Sequence, residues 1–156
     1  MALRRIFKND APCLRKICKP VDKFDSKLAE LLDDMAETMY HAGGVGLAAS
    51  QIGILRRVVV IDVGEGLIEL VNPQIVAYSG EQQGFEGCLS FPGRRGFVVR
   101  PNAVTVRAYD RNGQLVEYRG EGLFARAVFH ECDHLDGRVY LDRVSEPPAD
   151  FKEDED

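Results

Sequence analysis

At 156 residues, 45% hydrophobic and 29% charged, the chain has the size and composition of one soluble globular domain, long enough to bury a core without disulfides. Its net charge of −5 sits in residues 146–156, which hold six acids and one lysine, while the rest carries 19 acids and 19 bases. A neutral body with an acidic end argues against direct nucleic-acid binding, and no apolar run approaches the ~20 residues of a membrane-spanning helix.

The N-terminal stretch MALRRIFKNDAPCLRK has basic residues but lacks the apolar centre of a secretory signal, so a cytoplasmic chain is expected. In that setting Cys13, Cys18, Cys88 and Cys132 are expected as reduced thiols or metal ligands, not disulfides. No repeat or linker divides the body. A single domain over residues 1–145 and an acidic, disordered tail over 146–156 are expected.

The first element is a helix within residues 24–44, where Leu28, Leu31, Leu32, Met35, Met39 and Tyr40 recur at three- and four-residue spacing. Asp25 or Ser26 can cap its start, and Gly43 and Gly44 can stop it. Residues 56–63, RRVVVIDV, form a β-branched run that predicts a strand. Residues 67–76, LIELVNPQIV, predict another, with Asn72–Pro73 as a break or an edge. Residues 103–122 alternate apolar and polar on either side of Asn112–Gly113, a hairpin signal. A helix over 121–137 follows, ended by Gly137, and then a last short strand over 138–144, RVYLDRV. The fold class is therefore α+β, with mainly antiparallel sheets packed around a central metal-binding helix.

That helix contains HECDH, residues 130–134. Residues four apart lie one turn apart on one face, so His130 and His134 can reach one metal ion. With Glu131 this is the H-E-x-x-H pattern, whose glutamate serves as general base. Cys132 points away from that face, whereas Leu123 and Ala127 lie on it and are candidates for the wall of a substrate pocket. Asp133 suits a supporting partner or a cap. The remaining histidine, His41, has no such company and is expected to be structural or exposed.

A catalytic site of this type needs a third protein ligand and an open position. No histidine follows His134, and the chain beyond it is short, so the ligand comes from upstream. A thiolate suits the metal. Cys88, in GFEGCLSFPG, is the best candidate, because Cys13 and Cys18 are five apart and poorly spaced for one ion.

Three stretches now stand in order: GVGLAASQ (44–51), EGCLS (86–90) and HECDH (130–134). Together they resemble the signature motifs of the peptide deformylases, and the resemblance extends over residues 5 to 143. It implies metal ligation by Cys88, His130 and His134, with Glu131 as general base. It implies that the Gln51 amide and the Leu89 backbone N–H hold the formyl oxygen. Val45 and Gly46 would line the substrate cleft, and Arg95 would lie near the C-terminal side of the substrate. The implied reaction is attack of metal-bound hydroxide on the formyl carbonyl of an N-formylmethionyl nascent peptide, releasing formate. The implied metal is one divalent ion, Fe2+ natively, with Zn2+, Ni2+ or Co2+ also accommodated.

GGVGLAASQ lacks the Gly-Lys-Ser/Thr of a phosphate loop, so its small residues suit close approach of a peptide backbone instead. The chain departs from the family pattern at Phe129, where glutamine is frequent. It also departs at its acidic end, where some bacterial members carry a basic ribosome-docking helix. Any ribosome contact is therefore expected to be transient, and the protein is expected to be a monomer. The competing readings are a metallohydrolase for another N-acyl peptide and a non-catalytic, metal-stabilised binding domain. The latter would need neither Glu131 nor Gln51.

Overall fold

The computed structural model describes residues 2–152. Helix α1 spans Ser26–His41, and the Asp25 side chain accepts from the Leu28 N–H at 3.1 Å to cap it. Leu28, Leu32, Met35 and Met39 are buried and Leu31 half-buried, but Tyr40 turns outward and donates its hydroxyl to Asp62. Asp34, on the same helix, is buried because the incoming N-terminal segment supplies the Arg4 guanidinium and the Ala2 N–H.

Seven strands follow: β1 Gly46–Ala48, β2 Val58–Ile61, β3 Ile68–Ser79, β4 Gln82–Cys88, β5 Phe91–Arg100, β6 Ala103–Tyr109 and β7 Leu115–Glu121. Five pair antiparallel in the order β1-β2-β3-β6-β7, and β4 and β5 form a separate two-stranded sheet. Helix α2, Leu123–Leu135, buries Ala125, Val128 and Leu135 against the larger sheet. On its other side it meets β4–β5 through Arg126 and His130. The architecture is α+β with antiparallel sheets.

Two expectations are corrected. Asn72–Pro73 neither breaks β3 nor marks an edge, because β3 lies inside the sheet between β2 and β6. The pair sits in a bulge between Val71 and Gln74, with Asn72 at φ 52° and its side chain bonded to the N–H and C=O of Val21. A bulge lets an inner strand accept a proline that cannot donate to the ladder. Residues 138–144 are not a strand either; Tyr140–Arg143 is a 3₁₀ turn. The Asp142 carboxylate accepts from the Val139 N–H at 3.0 Å, a local bond that competes with a ladder. Tyr140 is almost fully buried beside Phe91 and His130, which anchors the turn.

Gly137 ends α2 at φ 73°, and a Cβ there would lie 2.7 Å from the Arg15 carbonyl oxygen. Gly137→Ala is expected to destabilise the fold by more than the ~1–2 kcal/mol of the left-handed backbone alone, because the Arg15 backbone must also shift. Urea denaturation measures this; an unchanged midpoint would contradict it.

Candidate active site

The α2 backbone sets His130 and His134 one turn apart, with ring centroids separated by 5.1 Å. Cys88 arrives from the last position of β4, where the register shifts between Glu86 and Cys88. Its Sγ lies 3.3 Å from His134 Nε2. One ligand atom from each of the three residues lies within 4.8 Å of the others. Bonds of 2.0–2.3 Å in tetrahedral geometry need ligand separations of roughly 3.5 Å, so a divalent ion fits with small side-chain adjustment. One thiolate and two imidazoles suit a first-row transition metal.

The ring of His130 is fixed from behind. Its Nδ1 lies 2.8 Å from Glu86 Oε1. Glu86 is buried, and burial alone would raise its pKa, but Arg100 and His130 overcome that and hold it well below the usual carboxylate range. An ionised Glu86 accepts a hydrogen bond from the Nδ1–H and leaves the Nε2 lone pair free for a metal. Arg100 grips Glu86 through Nε at 2.7 Å and Nη2 at 2.9 Å, and reaches Asp133 through Nη1 at 2.8 Å. Arg126 adds a third contact to Glu86 at 2.7 Å, and Arg143 pairs with both oxygens of Asp133. Burial holds His134 well below the ordinary imidazole range, so its ring is neutral and offers a lone pair.

Glu131 is buried beside the trio, and that burial pushes its carboxyl up to about 7. Among the described residues its Oε1 has no hydrogen-bond partner. Gly46 makes room for it, since a Cβ there would lie 2.6 Å from Glu131 Oε2. Gln51 is oriented by two contacts: its Oε1 accepts from the Ala48 N–H at 3.0 Å, and its Nε2 donates to Ser90 Oγ at 3.1 Å. That turns the amide N–H₂ toward Cys88, whose sulfur is 3.5 Å away.

Cys88, His130 and Glu131 open onto a cavity of about 300 Å³, also lined by Val45, Gly46, Phe85, Leu89, Leu123 and Ala127. A larger groove of about 950 Å³ runs along the N-terminal segment but contains none of the three candidate ligands. Arg95 stays outside the cavity lining, with its guanidinium 5.2 Å from the Phe85 ring centre. Cys132 packs toward the larger sheet, where burial raises its thiol to about 12, and Phe129 meets Tyr78 edge-on. Cys18 is buried, Cys13 half-buried and His41 exposed.

Sequence reasoning missed Glu86, Arg100, Arg126, Ser90 and Phe85. Glu86 lies inside EGCLS, two residues before Cys88, but nothing local pairs it with a histidine 44 positions away.

A buried carboxylate beside a Cys-His-His trio, at the wall of an apolar cavity, is the arrangement of a metal-dependent hydrolase. The polypeptide deformylase family model matches residues 3–149. A peptide deformylase of Alkaliphilus metalliredigens is 56% identical over 144 residues, covering 92% of this chain and 98% of that one. One from Caldanaerobacter subterraneus is 58% identical, covering 92% and 91%. The crystal structure of peptide deformylase from Thermotoga maritima superposes with a TM-score of 0.90 at 43% identity, covering 92% of this chain and 99% of that one. The chain belongs to the polypeptide deformylase family.

Replacing Glu86 by Gln is expected to weaken metal affinity about 10- to 100-fold, the usual cost of losing a carboxylate behind a ligand histidine. Competition with a chromogenic chelator measures it; wild-type affinity in the variant would contradict the role given to Glu86.

Proposed function

We infer that the protein is a metal-dependent deformylase that removes the formyl group from N-formylmethionyl ends of newly made peptides. The observation that carries this reading is the convergence of Cys88, His130 and His134, with Cys88, His130 and the neighbouring Glu131 on the wall of one apolar cavity. Cys88, His130 and His134 would hold the ion, and a divalent ion there supplies Lewis acidity, which acidifies water and polarises a carbonyl oxygen. The donor set accepts iron(II), zinc, nickel or cobalt, and membership of the deformylase family favours iron(II) as the native metal.

The residues divide the remaining work. Glu131, poised near neutral pH, accepts a proton from the attacking water and passes it to the departing amine nitrogen. Gln51 Nε2 and the Leu89 N–H donate to the negative charge that develops on the formyl oxygen; one such donor is worth about 3–4 kcal/mol. The methionine side chain occupies the cavity between Val45, Phe85, Leu123 and Ala127. The Gly46 backbone pairs with the peptide, where the absence of a Cβ permits close approach. Arg95 lies toward the C-terminal side of the substrate. Formate and a free N-terminus leave. The setting is the cytoplasm, with a monomeric enzyme meeting nascent chains in transient contact with the ribosome.

Formate release from formyl-Met-Ala-Ser by anaerobically metal-loaded protein tests this. Glu131→Gln is expected to lower the rate by about 10²- to 10⁴-fold, the range for a lost general base, with metal content unchanged. No release by folded, fully metallated wild type would overturn the reading. Release of acetate from the acetyl peptide alone would move it to another acyl group.

A further inference from the structure

The segment that follows the 3₁₀ turn does not leave the domain. Val144 packs so closely on β5 that a Cβ at Gly96 would collide with it. The Ser145 N–H donates to the Phe97 carbonyl at 3.0 Å. After Pro147 and Pro148, a turn closed by the Phe151 N–H on the Pro148 carbonyl returns an aromatic ring to the same sheet. That ring stands 4.8 Å from Phe97 and 6.0 Å from Phe85, steeply inclined to both. Phe85 and Phe97 are direct cross-strand partners, 5.8 Å apart. Phe85 is also the β4 side chain that lines the cavity beside His130 and Glu131.

We propose that residues 144–151 form a strap over the β4–β5 hairpin, and that Phe151 is a positioning residue that sets Phe85 for the substrate side chain. The proposal rests on the deformylase reading. A two-stranded sheet is marginal by itself and needs a covered face. Here Phe97 flanks Phe85 in the sheet, Arg95 covers its ring, and Phe151 comes from the strap. Tilted aromatic pairs at these distances hold ring orientation as well as burying area. Without Phe151 the Phe85 ring gains freedom that substrate must remove on binding. The cost falls equally on the ground and transition states, so it enters KM and leaves kcat.

The test compares metal-loaded wild type with Phe151→Ala, Phe151→Tyr and a chain ending at Ser145. With formyl-Met-Ala-Ser, Phe151→Ala and the shortened chain are expected to raise KM roughly three- to tenfold, the scale of one aromatic pair. Their kcat and metal content stay near wild type, and Phe151→Tyr restores KM. Hydrogen exchange in residues 82–88 rises in Phe151→Ala and not in Phe151→Tyr. Unchanged KM and unchanged exchange in Phe151→Ala would overturn the proposal. So would loss of kcat and metal with KM unaltered, which marks the strap as a support of the metal centre alone. Inactive wild type would instead defeat the deformylase reading, while the exchange comparison still decides whether the strap holds Phe85.

Discussion

A guanidinium with almost no access to water joins the two halves of the active site. Arg100 is 3% exposed, yet it carries a full charge between Glu86 of β4 and Asp133 of α2. Neither carboxylate can be lost cheaply, because an unpaired buried charge costs about 3–5 kcal/mol. Well-packed apolar side chains can serve stability as well as a buried ion cluster does. The cluster's particular contribution here is therefore geometric. Glu86 can aim the His130 ring only if Glu86 is itself held, and Arg100 and Arg126 hold it at three hydrogen bonds.

The same constraint explains why the candidate ligands come from different kinds of structure. Two histidines on one helix face fix two directions in space at a rigid spacing. The third ligand must approach from outside that helix, and a strand end can deliver it without disturbing the helical bonds. The irregular register before Cys88 and the short turn to Phe91 bring the thiol toward His134. Opposite them, the glycines before and at the start of β1 keep the approach open. A Cβ at Gly44 would lie 2.6 Å from the Leu89 side chain, and one at Gly46 would press on Glu131. The cavity thus has one wall of backbone and one of apolar side chains, which suits a peptide lying beside a reactive centre.

Much of this was legible in the sequence where the signal is local. Helical periodicity pointed to α1, the stop at Gly137 to α2 and alternation to the β6–β7 hairpin, while HECDH offered two candidate ligands and an adjacent carboxylate. Cys88 followed from the absence of a later donor. What stayed hidden depends on contacts between distant residues. Arg100 lies 14 residues from Glu86 and 33 from Asp133, and no pattern in a single strand announces either bond. RVYLDRV has a strand-like composition, but Tyr140 finds a buried site beside His130 and Asp142 closes a local turn. Phe151, in a segment read as a solvated acidic tail, finds two aromatic rings on a hairpin it does not adjoin in sequence. Residues 153–156 of that tail lie outside the described residues.

The central claim is that one thiolate and two imidazoles hold a metal ion while leaving a position for chemistry. X-ray absorption on the zinc-loaded protein tests it most directly. The expected first shell is one sulfur at about 2.3 Å, two imidazole nitrogens at about 2.0–2.1 Å and a light oxygen donor. A shell without sulfur, with two sulfurs, or closed by four protein donors would contradict it.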